Sequence, residues 1–218
     1  MFRFLCYLSL PLCYEQTYQL PHLVKERGGD NMIYEVLLGD NFYKLHPKLQ
    51  ERYQLPLNEE FFATGVMHSI QSGPKILHPV YKLFTRVQFL FPESGDNIPF
   101  SISNRSYLNE SLQGEVYWER VFYFPNATRK FNAKMTVDLD RKVVKDYLGD
   151  PAIFYSDLEF RVTAEGFLLI QSGEQRVVIG RREMGLPKTL TGRVTVIEGY
   201  DEKLGVYTIH VSIFNDFI

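Results

Sequence analysis

The chain has few cysteines and little net charge. Its 218 residues contain two cysteines, and the formal net charge is −2 with a pI near 6.2. Two cysteines cannot build a disulfide scaffold or a four-thiolate zinc site. A net charge this small gives no electrostatic case for binding nucleic acid or an anionic membrane. We therefore expect no nucleic-acid partner.

Motifs of the common enzyme classes are also missing. The chain contains neither GxxxxGK[ST] nor GxGxxG, and it has no GxSxG. No two of its five histidines are three or four residues apart, the spacing that places two imidazoles on one helix face. The carboxylate pairs Asp138/Asp140 and Glu115/Glu119 could converge across a strand face, but solvated charge is the simpler reading. We predict no catalytic residue, no metal ligand and no cofactor.

No apolar run is long enough to span a membrane. A transmembrane helix needs about 20 apolar residues, whereas the N-terminal stretch MFRFLCYLSLPLC has 13 and contains Pro11. Arg3 before an apolar run fits a signal peptide, but no small-x-small cleavage site follows. An upstream remnant, or a short strand followed by a disordered tail, are the alternatives. We predict a tail at residues 1–31 and one domain at 32–218, in a cytoplasmic protein that is free or held at the membrane by a partner.

Aromatic residues are abundant, and they favour sheet. Phe, Tyr and Trp make up 15% of the chain, and such side chains suit a pleated, half-buried surface. Apolar and polar residues alternate clearly at 130–139, 157–164 and 207–213, and less regularly in six further segments from residue 98 onward. Another strand is predicted at 63–71. Eight to ten strands joined by short turns form an antiparallel meander, which should curl strongly.

Helical patterns precede most of the strands. A short helix at 33–38 should end at Gly39, and Pro47 suits the first turn of a second helix. A third is predicted between Pro74 and Phe91, with one apolar face consisting of Ile76, Val80, Leu83 and Val87. The fold class is therefore α+β, with N-terminal helices packed on a large, strongly curved antiparallel sheet or partial barrel.

One predicted strand carries a cation among aromatic residues. In EVYWERVFYF (115–124), period two places Trp118, Arg120 and Phe122 on one face. Arg120 could clamp a planar anion while stacking on Trp118, which suits a carboxylate or phosphate head joined to an apolar body. Alternatively, it is a structural arginine, either paired with an acid on a neighbouring strand or placed at the sheet rim. We predict Trp118, Arg120 and Phe122 as ligand-binding residues.

Several short motifs, in this order, resemble a bacterial family catalogued as a domain of unknown function, DUF4166. IYEVLLGDNFYKLHPKLQERY at 33–53 is similar to the family's opening, and the W-x-R of Trp118 and Arg120 follows. The remaining matches are Gly65, Val144 to Gly149, Leu186-Pro187 before Leu190, and Glu198. Two features depart from the family: Gly185 replaces a usual proline, and the closing strand after Asn215-Asp216 is missing, so the chain is expected to stop one strand short.

The resemblance implies little about chemistry. Related domains occur alone, or attached to multi-spanning YndJ-type membrane proteins or to reductase-like domains, and no reaction is established that would transfer catalytic residues. We predict non-enzymatic binding of an amphipathic small molecule, such as a lipid or fatty acid, in the concave face of the sheet. The alternative is an interaction module that docks on a membrane-protein or reductase partner through an open strand edge. The third reading is an enzyme whose site has no linear motif.

Overall fold

The structure, a computed structural model, describes residues 2–9, 33–180 and 182–215. From residue 10 onward, the predicted N-terminal tail lies outside these residues. Residues 2–9 form a strand of the sheet, as one of the readings of this segment expects. The predicted domain boundary at residue 32 stays a prediction.

Strands dominate the described residues, and three α-helices accompany them. The strands are β1 Phe2–Ser9, β2 Glu60–Gln71, β3 Gly95–Leu108, β4 Gly114–Phe124, β5 Ala127–Lys130, β6 Ala133–Asp138, β7 Val143–Gly149, β8 Ala152–Val162, β9 Leu168–Ile179, β10 Arg182–Gly185, β11 Arg193–Asp201 and β12 Val206–Phe214. The helices are α1 Ile33–Leu38, α2 Pro47–Tyr53 and α3 His78–Phe84. Short 3₁₀ turns at Gly39–Lys44, Lys75–Leu77 and Thr85–Val87 adjoin them.

All strand pairs are antiparallel and form one sheet that curls on itself. The order is β10-β9-β11-β12-β1-β2-β3-β4-β6-β7-β8, and β8 also pairs with β9. The pairings therefore run in a circuit of ten strands, with β5 and β10 beside it. The strongly curved antiparallel sheet is confirmed, and the fold is broadly α+β with the sheet predominant.

The hydrophobic core lies on the concave side of this sheet. Alternate residues of the strands point inward, and α1 and α2 cover them with buried side chains such as Tyr34, Leu49 and Tyr53. Helix α2 begins as its sequence predicts, because Pro47 occupies its first turn. The cap itself is His46, whose Nδ1 accepts a hydrogen bond from the backbone N–H of Lys48 at 3.2 Å.

The prediction for residues 74–91 is wrong in two respects. The segment is not one helix but the 3₁₀ turn Lys75–Leu77, helix α3 and the 3₁₀ turn Thr85–Val87. Moreover, most of the predicted apolar face does not pack on the sheet: the exposed fractions of Ile76, Val80 and Leu83 are 82%, 45% and 56%. The side chain packed inward is Tyr81. Helical spacing identified the apolar stripe but could not show which side faces the sheet.

Among the described residues, the last strand does not form the open edge that was expected near the C-terminus. Strand β12 pairs with β11 on one side and with β1 on the other. The N-terminal strand therefore occupies the position at which the docking alternative required an unpaired edge. That alternative loses the feature on which it depended.

Candidate functional site

The inner face of β4 has the composition that the sequence predicts. Val116, Trp118, Phe122 and Phe124 are all buried. Phe122 packs between Phe91 and Phe100, with ring centroids 5.0 and 4.9 Å away. The period-two pattern thus places the three predicted ligand-binding residues on one face.

Arg120 is a half-buried cation close to two aromatic rings. Its guanidinium carbon lies 4.6 Å from the ring centroid of Phe131 and 5.4 Å from that of Trp118. Its Nε and Nη2 atoms are buried and have no hydrogen-bond partner among the described residues. Burial lowers the pKa of Arg120, and the charges of Asp146 and Glu198 partly offset that effect. Arg120 nevertheless stays protonated, as arginine does in proteins.

Asp146 on β7 provides a carboxyl near Arg120. It is buried beside the core, and its Oδ1 has no hydrogen-bond partner within the described part of the chain. Burial raises the pKa of Asp146 to about 7, although the charge of Arg120 lowers it. Asp146 is paired in the ladder with Met135 on β6 and Ser156 on β8. Asp146 is thus the nearby acid that a purely structural role of Arg120 would require. It forms no hydrogen bond with Nε or Nη2 of Arg120.

A second cation, which is buried, also lies close to Trp118. The Nη1 of Arg52, on α2, is 2.7 Å from Oε2 of Glu198 on β11, and both side chains are almost completely buried. The Tyr53 hydroxyl donates a hydrogen bond to the same carboxylate oxygen at 2.7 Å. Burial, followed by the charge of Glu198, raises the pKa of Tyr53 well above its usual value, so the phenol remains a donor.

Aromatic rings surround the Arg52 guanidinium. The centroids of Tyr53, Phe61, Trp118 and Tyr207 lie 5.4 to 5.7 Å from its central carbon. Nε, Nη1 and Nη2 of Arg52 are buried without an aligned hydrogen bond among the described residues, but the ion pair with Glu198 compensates the charge of this cation within the protein. We therefore assign Arg52 a structural role that fixes α2 against the sheet.

Tyr34 connects helix α1 to the candidate site. The indole N–H of Trp118 donates a hydrogen bond to the Tyr34 hydroxyl at 3.1 Å. The Tyr34 ring stacks on Phe160 of β8, with centroids 5.6 Å apart. This hydrogen bond fixes the orientation of Trp118, and the guanidinium groups of Arg52 and Arg120 both lie close to its ring.

This arrangement suits recognition of an anion by Arg120. A planar guanidinium with free N–H groups binds a carboxylate or phosphate in a bidentate manner. Aromatic side chains beside it offer an apolar wall, as small-molecule sites usually do. Within residues 2–9, 33–180 and 182–215, no group of three His, Cys, Asp or Glu side chains is placed to hold a metal ion.

Sequence reasoning missed the charged partners of the site. Asp146 lies in VVKDYLG, where Val144 and Leu148 on the same face could have marked it as inward-facing. Val196 and Tyr200 likewise flank Glu198 on one face of β11, but no local pattern shows that Glu198 pairs with Arg52, because α2 and β11 are far apart in sequence. Asp140 is exposed as expected, whereas Asp138 is half-buried. Asp138 forms an ion pair with Lys145 at 3.2 Å, and Glu119 forms one with Lys130 at 2.9 Å.

Comparison with known proteins identifies the family. The family described as "Domain of unknown function (DUF4166)" matches residues 45–218, which include every residue of the candidate site except Tyr34. The chain belongs to the DUF4166 family. The predicted resemblance is therefore confirmed over the sheet from β2 to β12.

One relative of this DUF4166 chain is the "Uncharacterized protein YndH" of Bacillus subtilis (strain 168). The two are 38% identical over 178 residues, which are 82% of this chain and 87% of that protein. No solved structure matches the chain. In the described part of this DUF4166 chain, no helix has the length and apolar character needed to cross a membrane.

Proposed function

We propose that this DUF4166 domain binds an amphipathic small molecule, with an anionic head at Arg120 and an apolar body along Trp118 and Phe122. The observation that carries the proposal is the pair of buried guanidinium atoms, Nε and Nη2, without a partner among the described residues. Buried donors of this kind are normally satisfied by a protein group, a ligand or ordered water. A carboxylate or phosphate would supply both the acceptors and the opposite charge.

The number of strands in the circuit supports the proposal. Antiparallel circuits of about eight strands enclose a space that side chains fill or that holds one small ligand, and the diameter grows with strand number. The circuit here has ten strands, and side chains of α1 and α2 occupy part of its concave side. A ligand head at Arg120 would lie beside these side chains.

The first test uses the chain's only tryptophan as its reporter. Trp118 contacts the proposed site, so its emission should change saturably when oleate is added at submicellar concentration. Native mass spectrometry with solvent extraction would show whether the purified protein already carries such a molecule. Oleyl alcohol is the matched probe, because it has the same apolar body without the anionic head.

Variants separate the head-group contact from general apolar binding. Arg120→Met should weaken oleate binding about 10- to 150-fold, the value of a hydrogen-bonded ion pair of ~1.5–3 kcal/mol, and leave oleyl alcohol unchanged. Arg120→Lys should recover part of the loss. Arg105→Met is the control, since Arg105 stacks on Tyr117 at 5.4 Å but is exposed. No saturable change with oleate together with a bare-chain mass, or equal oleate affinity in native and Arg120→Met protein, would overturn the proposal.

An enzymatic role would involve the same site through Asp146. A carboxyl whose pKa is about 7 can donate or accept a proton at neutral pH. We rank this second, because the arrangement contains a candidate acid or base but no identified nucleophile. Chemical change of a bound oleate or acyl ester, abolished by Asp146→Asn while binding persists, would favour it.

A further inference from the structure

The segment Lys75–Val87 presents an apolar stripe to solvent. Ile76, Val80 and Leu83 follow one another at helical spacing, and all three are exposed. Large aliphatic side chains are individually common on protein surfaces, but a continuous exposed stripe on a helical segment indicates an interaction surface.

A basic stripe lies directly beside the apolar one. Lys75 directly precedes Ile76, and Lys82 directly precedes Leu83. Arg86 follows Leu83 by three residues, and all three cations are exposed. The sequence between Gln71 and Glu93 contains no Asp or Glu. Because the whole chain has a net charge of −2 and these three residues are cations, the rest of the chain carries −5. Positive charge is therefore concentrated where apolar side chains are exposed.

The sheet holds this segment from behind. Tyr81 is buried, and the Phe84 ring packs against Phe89 and Phe154 with centroids 5.8 and 5.6 Å away. The backbone oxygen of Val87 accepts a hydrogen bond from the N–H of Asp150 at 2.8 Å. The outward stripes are thus fixed in place on the folded domain.

The acidic groups next to the segment leave its positive charge largely uncancelled. Glu93 acts on Lys82, but it is paired with Arg129 at 2.6 Å. The Asp150 carboxylate, at the other end of the segment, accepts a hydrogen bond from the Tyr117 hydroxyl at 3.1 Å. Lys75 and Arg86 have no ion-pair partner within the described part of the chain.

We propose that the segment Lys75–Val87 binds the surface of an anionic lipid bilayer. Helical segments with aliphatic side chains beside a row of Lys and Arg lie in the membrane interface, where the apolar groups insert and the cations meet anionic head groups. The centre of a protein interface is instead depleted of charged residues, including Lys. The exposed side here has three cations beside three aliphatic residues and Pro79. The inference is independent of the ligand at Arg120.

The test is cosedimentation of the full chain with vesicles. We expect binding to vesicles that contain phosphatidylglycerol and much weaker binding to pure phosphatidylcholine. Raising the salt from 0.1 M to 1 M shortens the screening length from about 10 Å to about 3 Å, so binding should fall sharply. Each cation near an anionic surface contributes about fivefold, so K75Q/K82Q/R86Q should weaken binding about 100-fold.

Matched variants distinguish binding by this segment from two general effects, the net charge of the chain and nonspecific apolar adsorption. K134Q/K188Q/K203Q removes three exposed cations elsewhere and should bind nearly as the native chain does. I76S/L83S should reduce binding to anionic vesicles, whereas L190S/L204S, at two other exposed leucines, should not. Equal losses in the segment variants and their controls would overturn the proposal. The proposal would also be overturned if the native chain failed to bind anionic vesicles at low salt. That is the result expected if the segment instead binds an acidic protein.

Discussion

Asp146 should make the stability of this domain fall as the pH rises from about 4 to about 7. In the unfolded chain its pKa is the ordinary 3.8, and in the folded domain burial raises the pKa to about 7. Below pH 4 the carboxyl is mostly protonated in both states, so it contributes no penalty. Between the two pKa values the unfolded state ionises while the folded state holds its proton, and the free energy of unfolding decreases. Above pH 7 both states are ionised and the loss is constant.

The size of this loss follows from the difference in pKa. A shift of about three units at about 1.4 kcal/mol each corresponds to ~4 kcal/mol. The measurement is urea denaturation of native and Asp146→Asn protein across pH 4 to 8. An amide at position 146 cannot ionise, so the difference between the two unfolding free energies should change by ~4 kcal/mol across this range, in favour of the variant at high pH. Comparing differences removes the pH-independent cost of leaving Arg120 without a carboxylate.

The control is Asp140→Asn, which changes an exposed carboxyl in the turn after β6 in the same way. The difference in unfolding free energy between Asp140→Asn and native protein should not change in this way from pH 4 to 8. If the Asp146→Asn curve ran parallel to the native curve from pH 4 to 8, the reasoning about burial of Asp146 would be refuted. A parallel pair of curves would mean that Asp146 is solvated or hydrogen bonded in the folded domain.

Four further substitutions test the buried contacts by urea denaturation. Glu198→Leu should lower the free energy of unfolding by ~3–5 kcal/mol, because it leaves the Arg52 cation buried without a counter-ion. Adding Arg52→Met should restore most of that stability. A double variant no more stable than Glu198→Leu alone would contradict the ion pair. Tyr34→Phe removes the acceptor of the Trp118 indole N–H and should cost ~1–3 kcal/mol with altered Trp emission. Gly166→Ala should cost ~1–3 kcal/mol, since φ is +80° and a Cβ would meet two backbone atoms at 3.1 Å; an unchanged midpoint would argue against that turn geometry.

The strands were predictable because one face of each is dry and the other wet. Met135 and Val137 alternate with Lys134 and Thr136, and the structure places the first pair in or against the core. The pattern has exceptions where a polar side chain is buried and finds its hydrogen-bond partners within the protein. Asp157 was expected on a wet face but is buried, because Arg141 and the Tyr155 hydroxyl bind its carboxylate.

Long-range contacts could not be predicted from local patterns. The predicted face of Trp118 and Arg120 required only that β4 alternate, and it is correct. The partners of that face come from elsewhere: Asp146 reaches it across β6, and Tyr34 reaches it from α1. The exposed stripe at Ile76 was misread for a related reason, since periodicity reports an apolar side but not the surface that covers it.

The neighbouring positions of β1 and β12 have a consequence for biosynthesis. Phe2 pairs with Ile213, so this seam of the sheet joins segments separated by about 200 residues of chain. At translation rates of about 5–20 residues per second, roughly 10–40 s pass between the synthesis of β1 and that of β12. During this interval one side of β1 has its backbone hydrogen-bonding groups unpaired, even if β2 already covers the other. The nascent chain therefore presents a strand edge that the finished protein conceals, and a ribosome-bound or chaperone-bound state is where association between copies would begin.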